Sequence, residues 1–116
     1  MTETVSYREF DKLDIRIGRV VEAHRVEGTE KLLRLVVDLG TETKQVVWGA
    51  GNQFGPESSL GELAGKTVVL LSNLAPKQIR GIRSEGMILE AQHIDDPDRY
   101  TMLTVSEEVP IGSRIR

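Results

Sequence analysis

The chain is built almost entirely of short apolar runs cut by turn residues, and that pattern leaves room for little besides β-structure. Leu13-Asp14-Ile15-Arg16-Ile17-Gly18-Arg19-Val20 alternates apolar and polar side chains, the period of a strand with one buried face. Leu32 to Leu39, rich in Val and Leu, is a second run; it stops at Gly40, and Thr41-Glu42-Thr43 makes a hairpin-like connection to a third, Lys44-Gln45-Val46-Val47-Trp48. Thr67 to Leu71, ending at Ser72-Asn73, is a fourth, and Met87-Ile88-Leu89 with Ala91 and Ile94 is a fifth. Tyr100 to Val105 offers one more. Helical signal is scarce. Tyr7 to Lys12 has room for a turn or two behind Ser6 as N-cap, and Pro56 to Leu63 for another, with Pro56 at a first helical position and Gly65 as the stop.

Five strands with a short helix between the third and fourth, and a short N-terminal helix in front, is the element order of an OB-fold barrel. An all-β, five-stranded barrel of that kind is the expected fold. Its first strand should be long and bent, and Gly18 is where a bend or bulge is expected. No repeat, low-complexity tract or Pro/Ser linker interrupts residues 1–116, so one domain is expected, with a core at about 13–94 and an extension at 95–116. No apolar run approaches the ~20 residues that span a bilayer, and no membrane partner is expected. The acidic start Met1-Thr2-Glu3-Thr4 does not read as a targeting segment, and with no cysteine the reducing cytoplasm is the expected address.

The formal net charge of −3 is unevenly placed. Residues 1–89 hold 12 acids and 12 bases, while residues 90–116 hold 6 acids and 3 bases. Lys66 to Ser84 contains Lys66, Lys77, Arg80 and Arg83 and no acid. Salt screens charges beyond ~8–10 Å, so a phosphate backbone senses this local run rather than the total. On composition alone the run reads as a solvated strand or loop.

The segment Asn73-Leu74-Ala75-Pro76-Lys77-Gln78-Ile79-Arg80-Gly81-Ile82-Arg83-Ser84-Glu85-Gly86-Met87-Ile88-Leu89 resembles a family signature: that of the tRNA-binding domain at the C-terminus of methionyl-tRNA synthetases, also found as small free-standing proteins. Leu13 to Val20 is similar to that family's first strand, and Glu30 to Gly40 to its second; together the resemblance covers roughly residues 10–116. It implies an OB-fold that binds tRNA by shape and backbone, without catalysis and without a cofactor. It further implies a homodimer and an accessory relation to an aminoacyl-tRNA synthetase, in the manner of a β-subunit-like partner. Carried over by motif, the RNA contacts are Asn73, Lys77, Arg80, Ser84 and Met87, with Lys31 and Arg83 in support. Two departures stand out. Ala75 and Gln78 occupy places where the family often has a base, and the loop before Lys31 reads His24-Arg25-Val26-Glu27-Gly28-Thr29 instead of His-Pro-Asp-Ala-Asp. A sister branch, the secretion chaperone CsaA, is similar at Pro76 to Ile79 but usually lacks the Arg-Gly present here as Arg80-Gly81. A CsaA-like peptide-binding chaperone is therefore the alternative reading.

These residue types suit an RNA backbone. Lys supplies a mobile point charge and Arg a planar fork that holds phosphate through two hydrogen bonds. Asn73 and Ser84 can donate to phosphate or ribose, Met87 can lie against a base, and Gly81 and Gly86 let a strand approach closely. Each also has a plainer role: Asn73 and Ser84 as turn residues, Met87 as core, Arg80 as a partner for Glu85. Aromatics are few, and Trp48 and Phe10 lie in apolar stretches, which disfavours a general single-strand binder and suits a folded RNA. The two histidines stand far apart in no metal pattern, and no nucleophile elbow or Walker loop occurs. Gly49 to Gly55 reads as a turn, and Asp95-Asp96-Pro97-Asp98 as an exposed acidic turn.

Overall fold

The computed structural model describes residues 3–53 and 57–116, with all their side chains except those of 57–59. Nine strands are described: β1 (Ile15–Arg25), β2 (Leu33–Asp38), β3 (Thr43–Trp48), β4 (Thr67–Leu71), β5 (Lys77–Ile79), β6 (Ile82–Ser84), β7 (Met87–Ile88), β8 (Glu90–His93) and β9 (Asp96–Met102). The main sheet is antiparallel, in the order β3-β2-β1-β4-β7. Its two ends meet: Glu85 N–H donates to the Gln45 carbonyl at 2.8 Å, and Val47 N–H to Ser84 Oγ at 3.0 Å. This nearly closes a five-stranded barrel of OB type.

Alternation explains the inside of the barrel. Leu33, Leu35 and Val37 of β2 face inward and are fully buried, with Arg34, Val36 and Asp38 outward. The inner cluster also takes Val20, Val46, Trp48, Val68, Leu70 and Ile88. β4 is apolar at every position after Thr67 because both its faces are covered. Val68 and Leu70 point into the barrel, while Val69 and Leu71 join Ile15 and Ile17 in a second cluster on its outside. Phe10, Leu89, Val105, Val109 and Ile115 pack over that second cluster.

β1 serves two neighbours. Ile15 to Arg19 pair with β4, and Arg19 to Arg25 with β2. The register slips between Val20 and Glu22, so the bulge sits at Val21 rather than at Gly18 as the alternation suggested. Gly18 has a different reason: a Cβ there would lie 2.5 Å from Val37 Cγ1. The glycine permits a close approach of β2 to β1.

The N-terminal helix α1 (Tyr7–Asp11) starts where Ser6 predicted it, with a reciprocal capping box: Glu9 N–H donates to Ser6 Oγ and Ser6 N–H to Glu9 Oε1, both at 3.1 Å. The helix expected between the third and fourth strands is only a 3₁₀ segment, Glu57–Leu63, preceded by a 3₁₀ turn at Gly51–Gln53. Gly61 in its middle has little helix propensity, and Leu60 and Leu63 bury on the barrel at the three-residue spacing that a 3₁₀ turn aligns. The proposed start at Pro56 lies outside the described residues. The fifth run is split into β7 and β8, and the sixth is β9, which pairs with β8 as a separate hairpin. The tail does not extend away. Ile17 N–H donates to the Ser113 carbonyl (2.8 Å), Gly112 N–H to Ile17 (2.7 Å) and Ile115 N–H to Ile15 (2.8 Å), covering the free edge of β1.

Candidate nucleic-acid interface

The segment between β4 and β7 leaves the barrel as a small two-stranded hairpin. Lys77 pairs with Ser84, Gln78 with Arg83 and Ile79 with Ile82. Arg80-Gly81 forms the tip, with φ of 52° and 80°. Positive φ at both central positions is the turn that matches the twist of a tight hairpin, and glycine supplies the second at no steric cost. Arg80 is the only non-glycine residue with positive φ among the described residues. Its backbone sits where an L-residue is disfavoured, and its guanidinium reaches back so that Nη1 lies 3.6 Å from the Cβ position of Gly28. The hairpin tip and the loop joining β1 to β2 therefore adjoin.

That loop is held firmly. Arg25 Nη1 donates to the carbonyls of Glu30 (2.6 Å) and Gly51 (2.9 Å), and Gly51 N–H to the Lys31 carbonyl (2.6 Å). A Cβ at Gly51 would meet the Lys31 carbonyl at 2.7 Å, so only glycine allows this contact. Lys31 itself is exposed, with its Cε 3.6 Å from the Cβ position of Gly49.

Lys77, Arg80 and Arg83 are all exposed. The cross-strand pairs put Lys77 and Arg83 on opposite faces of the ribbon, since Lys77 shares a face with Ser84 and Arg83 with Gln78. Glu85 pairs with Arg83 at 3.8 Å rather than with Arg80, and both groups are well solvated, so the pair contributes little. Ser84 faces inward at 6% exposure; its Oγ accepts from Val47 N–H and donates to the Gly86 carbonyl at 3.4 Å. Asn73 is exposed, but Oδ1 accepts from Asp14 N–H (2.9 Å) and Nδ2 donates to the Lys12 carbonyl (2.7 Å). It ties the base of the hairpin to the entry of β1 and keeps one Nδ2 proton to spare. Met87 is 44% exposed and pairs with Leu71, beside the second cluster.

The hairpin and the loop flank the outer face of β2 and β3. Arg34, half-buried there, lies opposite His24 on β1 and Val47 on β3, and its Nη1 donates to Gln45 Oε1 at 3.3 Å. Sequence reasoning passed over Arg34. The signal was present in the alternation Leu33-Arg34-Leu35, which turns a lone cation outward between two buried leucines. Among the described residues no His/Cys/Asp/Glu cluster is arranged to hold a metal, and no helix is long and apolar enough to cross a membrane.

The sequence and the fold are shared with known proteins. The chain is 43% identical to a methionine–tRNA ligase of Clostridium tetani over 98% of its own length and 42% identical to that of Archaeoglobus fulgidus over 97%, but it spans only 17% and 16% of those proteins. Among solved structures, a MetRS related protein from Pyrococcus horikoshii superposes with a TM-score of 0.87 at 34% identity, covering 99% of this chain and 100% of that one. The chaperone CsaA of Bacillus anthracis superposes at 0.82 with 25% identity, covering 98% and 100%. Residues 15–114 match the family described as "Putative tRNA binding domain". That match runs from the first residue of β1 to the tail segment that covers it, and the chain belongs to this family.

Proposed function

We propose that residues 1–116 act as one non-catalytic unit that binds tRNA by backbone and shape. The observation that carries this reading is the cationic hairpin, Lys77 to Ser84, standing off the barrel beside the β1–β2 loop. A two-stranded ribbon is thin, so Lys77 and Arg83 can each meet phosphate although they leave opposite faces. Arg80 at the tip and Lys31 on the loop extend the cationic surface, and Arg34 on β2 adjoins the hairpin through Gln45, which it and the Arg83 carbonyl both contact. Met87 offers an apolar contact at the edge. Asn73 contributes its spare donor, and Ser84 acts by holding the hairpin to β3. Few exposed rings accompany these groups, which fits recognition of a folded RNA rather than stacking along a single strand.

The kinship with methionine–tRNA ligases supports an accessory role beside such a synthetase in the cytoplasm. We further propose that the unit is a homodimer: Phe10, Leu89, Val105 and Val109 are only partly buried over the second cluster and leave apolar surface for a second copy. The likeness to CsaA supports a second reading, a chaperone that binds unfolded peptide.

Titration with total tRNA at two salt concentrations separates the two. Phosphate contacts give an affinity that falls steeply with salt, with a slope reduced by about 1 for each lost contact in Lys77→Ala and Arg80→Ala. A peptide groove gives little salt dependence. Full tRNA affinity in the double variant overturns the placement of the site.

A further inference from the structure

A cavity of about 560 Å³ opens where β9 crosses the barrel next to the 3₁₀ segment. Buried Trp48 and Leu63 and half-buried Tyr100, Met102 and Thr67 line it, and exposed Lys66, Gln53, Thr101 and Thr104 complete the lining. It shares no lining residue with the hairpin or with the β1–β2 loop. The volume lies inside the usual range for small-ligand sites, roughly 300–1,000 Å³.

The walls are held in place. Trp48 Nε1 donates to Glu90 Oε2 at 2.7 Å, which fixes the indole. The Gln53 amide grips Tyr100 on both sides, accepting from its N–H at 2.6 Å and donating to its carbonyl at 2.9 Å. Thr104 Oγ1 donates to the Thr67 carbonyl at 3.1 Å and closes the rim. The lining combines aromatic, aliphatic and thioether surface (Trp48, Tyr100, Leu63, Met102) with amide and hydroxyl groups (Gln53, Thr67, Thr101, Thr104) and one ammonium, with no carboxylate among the described lining residues; the Glu90 carboxylate is engaged by the Trp48 indole. Lys66 is exposed and is paired with no carboxylate among the described residues. An ammonium beside buried aromatic surface complements an apolar body that bears a single negative charge.

We propose that this cavity binds a small aryl carboxylate, with its ring against Trp48 and Met102 and its carboxylate at Lys66. The site is independent of the tRNA reading and is tested without RNA. Trp48 is the only tryptophan, so under native conditions the emission comes from a residue of the cavity lining. Phenylacetate and 3-phenylpropionate are titrated against the full chain, with 2-phenylacetamide and phenethylamine as the neutral and cationic counterparts. Emission is followed together with the amide resonances of Leu63, Lys66, Thr101 and Met102. The carboxylates are expected to change both, the amine neither. Lys66→Gln, at an exposed position that does not endanger folding, is expected to weaken carboxylate binding about tenfold, and Lys66→Arg to retain it. No response at millimolar carboxylate, equal response to all probes, or a Lys66→Gln variant with unchanged affinity each overturns the proposal.

Discussion

Ser84→Ala separates a residue that contacts RNA from one that holds the RNA-contacting element in place. The hydroxyl is buried and accepts the Val47 N–H at 3.0 Å, one of the bonds that join the hairpin to β3 and close the barrel. Alanine fits the same space but leaves that amide without its acceptor. Stranding a buried donor costs about 1–3 kcal/mol. For a chain of this length the corresponding fall in Tm is roughly 3–12 °C. Trp48, only 5% exposed, gives a fluorescence signal for both urea and thermal unfolding. Affinity for tRNA, measured well below the transition, is expected to stay within about threefold of the parent, because the hydroxyl faces the barrel and not the solvent. Unchanged stability together with a tenfold loss of affinity would refute the reasoning and make Ser84 a direct RNA donor.

Arg80→Gly removes both a cation and a left-handed side-chain-bearing residue; stability is expected to hold or rise by up to ~1 kcal/mol in urea denaturation, while tRNA affinity falls about tenfold. A clear loss of stability contradicts the strain at this turn. Gly18→Ala places a methyl 2.5 Å from Val37 Cγ1, a side chain with no exposure, and is expected to cost about 1–3 kcal/mol by the same assay. Removing residues 112–116 deletes the three backbone hydrogen bonds to Ile15 and Ile17 and strips Ile115 from the second cluster, so a loss of more than about 2 kcal/mol is expected; an unaffected urea midpoint shows the tail to be dispensable.

Much of the fold is legible along the chain because strand faces are a local property. Leu33-Arg34-Leu35 and Thr67 to Leu71 state which side chains are covered, and Ser6 with Glu9 states where a helix begins, since each signal lies within a few residues. The cationic run is equally local, so its charge could be read without coordinates, whereas its folding into a hairpin with Arg80-Gly81 at the tip came from the structure. The partners of Asn73 and Ser84 could not. Asn73 spends its amide on Lys12 and Asp14, about 60 positions away, and Ser84 bonds Val47, 37 positions away. Residue type says only that such side chains seek hydrogen bonds; which backbone satisfies them depends on how the barrel closes. The same holds for Gly18, whose role comes from the approach of Val37, and for the tail, which turns back onto β1 because that edge lacks β2. Sequence alone set the faces, the caps and the charge; barrel closure decided which of the polar groups remain free to meet another molecule.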